Sequence, residues 1–270
     1  VSRPPPRIAV VSDPHVTPTG SGTGKVYHRT ENRLRTAVST IADLEVDATV
    51  LLGDLTRDGR PGEYDVIDEI LADLPDPWVS VPGNHDVPKH WDDYEAPHPD
   101  AFAGRYATGA FPFTYRVGGV DIIGLDSASG GSDLDLYDSH EGVVPDQHLH
   151  ELDELLADAT NPLVVLHHNL IHPRRHTGQF PDGDFYQLRN AGELAEVLAA
   201  HGVPLVLSGH IHWPATAVCD GVREIIAPAT CSFPQSFLLV DIDREGTTIR
   251  LVPLAGRNGM AEAYTLARGG

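Results

Sequence analysis

Cysteine is almost missing. Cys219 and Cys231 are the only two in 270 residues, which excludes a disulfide framework and a thiolate zinc site and leaves free, buried thiols as the expectation. Lysine is as scarce: Lys25 and Lys89 stand alone, and every other basic side chain apart from histidine is arginine. No run of about 18 apolar residues occurs, and the opening "VSRPPPRIAV" has no apolar segment of signal-peptide length. The chain therefore reads as soluble and cytoplasmic, without a membrane partner. A basic excess is missing too, because 39 acidic residues face 19 basic ones for a formal net charge of −20. Such a field repels nucleic acid polymers and anionic membranes, so an anionic substrate must be drawn in by something local. Asp outnumbers Glu two to one. With so little lysine, this is the composition expected of a halophile's cytosolic protein, whose acidic surface stays hydrated where salt screens its repulsion within a few ångströms.

With 41% hydrophobic residues, the chain can bury a large core, and a single domain over 1–270 is the simplest organisation. "RIAVVSD" (7 to 13), "ATVLLGD" (48 to 54) and "WVSVPGN" (78 to 84) are short apolar runs that end in a polar residue. Their continuous apolar character predicts strands buried on both faces. Between them, 30 to 44 and 61 to 74 carry apolar residues at helical spacing, the second opened by Pro61, which gives a β-α-β-α-β rhythm and a parallel sheet. "FTYRVGGVDIIGLD" (113 to 126) predicts an antiparallel hairpin about Gly118 and Gly119. Helices over 145 to 159 and 190 to 202 precede strands over 162 to 168 and 203 to 212. Three more strands are expected around 222 to 228, 236 to 242 and 247 to 253. The segments 87 to 111, 127 to 142 and 169 to 187 read as long irregular loops.

Ligands of open α/β sheets bind beyond the carboxyl ends of the strands. At those ends stand Asp13 and His15, Asp54, Asn84 and His85, His167 and His168, and His210 and His212. Singly, an Asp or Asn after a strand also serves as a helix cap. Together, carboxylate, amide and imidazole at five strand ends form a mixed oxygen and nitrogen donor set, suited to Mn, Fe or Zn rather than to an all-oxygen magnesium site. Asp13 and His15, like His210 and His212, alternate so that both members of each pair aim to one side. Asp54 follows Gly53, which permits close approach. Its carboxylate has two oxygens and can bridge two ions about 3.5–4 Å apart, the arrangement for in-line displacement at phosphorus.

"DPH", "GDLTRDG", "GNHD", "LHH" and "GHIH", in this order, closely resemble the five motifs of the calcineurin-like metallophosphoesterases. The resemblance spans about residues 7 to 213. The wording around the motifs ("GRPGEY", "EGVVPDQ", "LVLSGHIH") is most similar to the small cyclic-nucleotide and glycerophosphodiester phosphodiesterase branch. It implies an α/β fold of four layers, α/β/β/α, a double β-sandwich with mixed sheets and flanking helices. It also implies two divalent transition-metal ions. Asp13, His15 and His212 would hold one, Asn84, His167 and His210 the other, and Asp54 would bridge them. His85 would face the substrate, bind a phosphoryl oxygen and protonate the leaving oxygen while hydroxide attacks in line. His168 would pack beside the site or line its pocket.

One position departs from the family pattern. Three residues after the bridging aspartate, where the family commonly has Asp or Asn to orient the catalytic histidine, stands Arg57, followed by Asp58. An arginine side chain cannot accept an imidazole N–H. Either Asp58 replaces it through a shifted loop, or His85 is a weaker acid-base group, and Arg57 is open to contact substrate phosphate instead. "HHNLIHPRRHTG" (167 to 178) places His172, Arg174, Arg175 and His176 in a basic island, a second candidate for substrate attraction or an ordinary solvated loop. The expected reaction is hydrolysis of small soluble phosphodiesters, with a phosphomonoesterase as the alternative at the same site. A homo-oligomer remains open. A non-catalytic scaffold on the same fold would be expected to lose ligands, and all seven positions are retained.

Overall fold

The computed structural model describes residues 5–18, 20, 24–88, 96–129, 141–178, 186–243 and 245–269. Lys89, His90 and most of the expected loop 127 to 142 lie outside them. The first half alternates strand and helix as the sequence rhythm predicts: β1 (Arg7–Val11), α1 (Thr30–Asp43), β2 (Ala48–Leu51), α2 (Pro61–Leu71) and β3 (Trp78–Ser80). Next come α3 (Pro99–Tyr106), the hairpin β4 (Phe113–Val117) and β5 (Val120–Gly124), α4 (Asp146–Asp158), β6 (Pro162–Val165), α5 (Pro173–Thr177), α6 (Ala191–Ala200) and β7 (Leu205–Ser208). The tail adds β8 (Ala215–Cys219), β9 (Val222–Ile226), β10 (Ser236–Ile242), β11 (Thr247–Pro253) and α7 (Arg257–Gly269).

Among the described residues these strands form two sheets, ordered β11-β10-β1-β2-β3 and β4-β5-β6-β7-β9-β8. The expected parallel core is present in each, β1-β2-β3 and β5-β6-β7-β9. Antiparallel strands flank it: β10 on β1, β11 on β10, β4 on β5 and β8 on β9. Both sheets are therefore mixed. Alternation along the strands explains the layering. Ile8, Val10, Val50 and Val240 of one sheet meet Ile122, Leu163, Val165 and Leu207 of the other in a central core. Ala9, Val11, Leu51 and Leu239 turn the opposite way, against Leu34, Ile41, Ile67 and Phe102 of α1 to α3. On the far side Ile123, Val164 and Val206 pack on Leu152, Leu156, Leu194 and Leu198 of α4 and α6. The result is the four-layer α/β/β/α sandwich, with its continuous apolar strands buried on both faces.

Two helices stand in segments expected to be loops, and β8 and α7 were not anticipated. The segment 87 to 111 contains α3, opened by Pro99 at its first turn with Phe102 and Tyr106 buried, and 169 to 187 contains the short α5. β8 is an edge strand whose residues alternate between half-buried and exposed, too weak a pattern to read alone. α2 starts as Pro61 predicts, and the buried Glu63 completes the turn by accepting from the backbone N–H groups of Arg60 and Asp58. Of the two thiols, Cys231 is buried as expected, but Cys219 on β8 is only partly so. No helix among the described residues is long and apolar enough to cross a membrane.

Candidate metal centre

The loops leaving β1, β2, β3, β6 and β7 converge at one edge of the sandwich. Their backbones are strained in a shared way. Asp13, His15, Asp54, His210 and His212 have φ values of 49°, 43°, 52°, 71° and 66°, and they are five of the eight non-glycine residues with positive φ among the described residues. Such a conformation costs on the order of 1 kcal/mol per residue and persists only where its surroundings enforce it. Here the loops are cross-bonded. Asp13 N donates to Gly53 O, His15 N to Asp54 O, His210 N to the Asp13 carboxylate, and Thr230 N to Ser12 O. Close approach explains the glycines before Asp54 and Asn84. A Cβ on Gly83 would collide with Asp54 Oδ1, and one on Gly53 with Gly83 N.

One carboxylate oxygen sits at the middle of this cluster. Asp54 Oδ2 lies 3.2 Å from His15 Nε2 and 3.5 Å from His167 Nε2, while Oδ1 accepts from His85 N at 2.9 Å. On one side, His212 Nε2 is 3.2 Å from His15 Nε2 and 3.3 Å from Asp13 Oδ1. On the other, Asn84 Oδ1 is 3.2 Å from His167 Nε2 and 3.1 Å from His210 Nδ1. The structure thus brings all seven sequence-predicted residues together in two groups that share Asp54. The rings are aimed by outer contacts: His167 Nδ1 donates to Leu52 O at 2.7 Å, and His212 Nδ1 faces Ser232 Oγ at 3.3 Å.

The donor set fits divalent ions. Donors about 2.1 Å from a shared ion lie about 3.0–3.4 Å apart, the edge of an octahedron or tetrahedron, and the distances given above are close to that size, while His15 Nε2 and Asp13 Oδ1 are further apart at 3.9 Å. Charge leads to the same conclusion. Burial would push Asp13 up, but His212 beside it outweighs that and holds it at about 2. Burial likewise opposes the ionisation of Asp54, yet His167, His85 and His15 keep it well below the usual carboxylate range. Burial, then Lys25, pushes His15 down to about 3, and burial, then His167, does the same to His210. These two imidazoles are neutral, with lone pairs to offer. Against the cost of burial, Asp54 raises His167 to about 9, and Cys231 and Asp13 raise His212 to about 9. The lowered carboxylates and the two raised imidazoles share one cause, buried negative charge from Asp13 and Asp54, so the cluster is an environment that favours positive charge.

His85 adjoins the cluster, its ring 4.6 Å from that of His15. Its Nδ1 bonds the backbone carbonyl of Arg57 at 2.5 Å, so Nδ1 carries the proton and Nε2 the lone pair of the neutral ring. This answers the question raised by Arg57: the acceptor is the main chain, which the side chain's identity does not alter. Asp58 is engaged elsewhere, with Arg57 Nε at 3.6 Å and Arg60 Nη2 at 3.8 Å. The Arg57 guanidinium lies 4.2 Å over the Tyr27 ring.

Asp86 completes the "GNHD" turn and is wholly buried. Its carboxylate accepts from Leu55 N, Thr56 N and Gly83 N, each at 3.0 Å, and from Thr56 Oγ1 at 3.1 Å, tying the loop after β2 to the loop after β3. Asp86→Ala leaves three buried backbone donors unsatisfied, an expected loss of about 3 kcal/mol or more. Thermal unfolding should show a Tm lower by about 10 °C.

The second predicted substrate segment does not form one exposed basic patch. His168 is buried, its Nδ1 3.0 Å from Ser127 Oγ and its ring 4.6 Å from that of His210, so it lines the cluster. His172 caps α5 by accepting from Arg174 N, and Arg174 is exposed. Arg175 Nη1 turns to Cys219 Sγ at 3.2 Å. His176 has a buried side chain 3.0 Å from Glu224 Oε2. That carboxylate also accepts from Leu170 N, Ile171 N and Ser208 Oγ, so the pair holds the loop after β6 in place rather than facing solvent. Lys25 is the residue that sequence reading passed over. Its Nζ lies 3.1 Å from His15 Nε2, and its only signal in the sequence is its rarity.

The calcineurin-like phosphoesterase family profile matches residues 6–214. A probable cyclic nucleotide phosphodiesterase of Rhodococcus erythropolis is 28% identical over 242 residues, covering 85% of this chain and 72% of that protein. The 3′,5′-cyclic adenosine monophosphate phosphodiesterase CpdA of Escherichia coli is 32% identical over 196 residues, covering 69% of this chain and 62% of that enzyme. Among solved structures, a dimetal phosphatase from Danio rerio superposes with a TM-score of 0.74 over 94% of this chain and 98% of that one, at 16% identity, a likeness of fold. The chain belongs to the calcineurin-like phosphoesterase family, hydrolases that act on phosphate esters with divalent metal ions.

Proposed function

We propose that the protein is a binuclear phosphodiesterase acting on small soluble phosphodiesters, with cyclic nucleotides as the first class to try. The observation that carries the two-ion reading is the position of Asp54 Oδ2, 3.2 Å from a nitrogen of one donor group and 3.5 Å from a nitrogen of the other. Asp13, His15 and His212 would hold one ion, Asn84, His167 and His210 the second, and Asp54 both. Mn, Fe and Zn suit these donors. When bound, the ions supply Lewis-acid charge that lowers the pKa of water and offsets negative charge at phosphorus. The relatives from Rhodococcus and E. coli support the diester and cyclic-nucleotide reading by name.

The chain's own part is positioning and proton transfer. With Nδ1 fixed on the Arg57 carbonyl, His85 in its imidazolium form would present the Nε2 proton to the departing alkoxide and be left as the neutral ring. Its backbone N–H, bonded to Asp54 Oδ1, fixes the shared carboxylate so that Oδ2 keeps its place. The neutral carbonyl behind His85 orients the ring but adds no charge to stabilise an imidazolium, unlike a carboxylate partner. Arg57, stacked on Tyr27, would be a further contact for a phosphate oxygen.

Turnover of 3′,5′-cyclic AMP, a glycerophosphodiester and p-nitrophenyl phosphate by manganese-loaded protein in high salt tests the substrate class. The reading predicts kcat/KM at least about tenfold higher for a diester than for the monoester, that is about 1.4 kcal/mol of transition-state preference. The reverse order would make the protein a phosphomonoesterase.

A further inference from the structure

We infer that Lys25 is a substrate-binding residue, its ammonium holding a phosphoryl oxygen of the ester at the edge of the centre. The inference rests on the functional reading above and adds a residue to it. Three observations carry it. The ammonium reaches the first donor group, 3.1 Å from His15 Nε2, and the His15 ring in turn meets those of His85 and His212, 4.6 Å and 5.1 Å away between centroids. The backbone that carries Lys25 is built in: the neighbouring Val26 is buried, and its N–H donates to Cys231 O at 2.8 Å. That strand-end segment is itself bonded to the site, through Thr230 N to Ser12 O and Ala229 N to His212 O. Tyr27 then gathers charge, with Lys25 Nζ 5.9 Å and the Arg57 guanidinium 4.2 Å from its ring.

An ammonium is a donor only. Once an ion takes the His15 lone pair, Lys25 loses its acceptor there and faces whatever anion enters beside it. Elsewhere the chain repels such an anion, with a net charge of −20 and two lysines in all, so a cation at this edge supplies the local attraction that a phosphoester needs. Lys25 also lines a surface groove of about 460 Å³, shared with His28 and with Glu262, Thr265 and Leu266 of α7.

The test compares the manganese-loaded wild type with Lys25→Met and Lys25→Arg. Measured are the inhibition constant of inorganic phosphate, KM for a diester and manganese bound per chain. Lys25→Met should weaken phosphate about tenfold or more and raise KM in step, with bound manganese unchanged, and Lys25→Arg should restore most of both. Unchanged phosphate affinity in an active Lys25→Met protein would overturn this inference alone. So would tighter manganese binding without a phosphate effect, which would make the ammonium a competitor of the ion. A loaded wild type that hydrolyses no phosphoester would overturn the functional reading and this inference with it.

Discussion

Asp54→Ala should empty the centre of both ions and lower kcat by about a thousandfold or more. Changes in the outer contacts of metal ligands typically cost about 10–100-fold in affinity, and this substitution removes a donor common to both groups. Oδ2 is the atom that approaches His15 and His167 together. Without it, Asp13 is the only carboxylate in the set, and the negative charge that makes the cluster attractive to cations is halved. Asp54→Asn separates the chemistry from the packing. It keeps an oxygen for the His85 N–H and the fit against Gly83, yet removes the charge. Metal analysis of both variants should show the same loss, with secondary structure retained by circular dichroism. Either variant retaining two ions and full activity would exclude Asp54 as the bridge.

His85→Ala should give the opposite pattern: both ions retained, with kcat reduced about 10²–10⁴-fold, the usual range for a lost general acid. The size should depend on the leaving group. An alkoxide such as the ribose oxygen of a cyclic nucleotide needs a proton as it departs, whereas p-nitrophenolate does not. The deficit should therefore be large for 3′,5′-cyclic AMP and small for bis(p-nitrophenyl) phosphate. A general acid works in its protonated form, so the wild-type rate on the cyclic nucleotide should fall as pH rises through the basic limb, and the variant should lack that limb. An equal deficit on both substrates with an unchanged pH profile would reduce His85 to a binding role.

What could be read in advance was the chemistry at the strand ends, because an apolar run that stops at Asp, Asn or His marks both the strand and its last side chain. That was enough to place Asp13, Asp54, Asn84, His167, His210 and their neighbours at one edge. The left-handed backbone at five of these positions has no such signature, since nothing in "DPH" or "GHIH" announces positive φ outside glycine. The partner of His85 was illegible for a different reason: it is the carbonyl of Arg57, and every residue has one. His176 looked like part of a basic loop because its counter-charge, Glu224, is 48 residues away and reaches it only in the fold. The α7 helix, around a core of one fully buried residue, Ala263, is too thinly apolar to be recognised. Lys25 became visible only as a distance to His15.

The central claim is that two donor groups sharing Asp54 hold two ions. It is tested most directly by counting transition-metal ions in the purified protein after manganese loading and removal of excess metal, alongside hydrolysis of bis(p-nitrophenyl) phosphate. The account predicts about two ions per chain, turnover that a chelator abolishes and activity restored when manganese is added back. A chain that binds none or one, or that stays inactive in manganese, would contradict it.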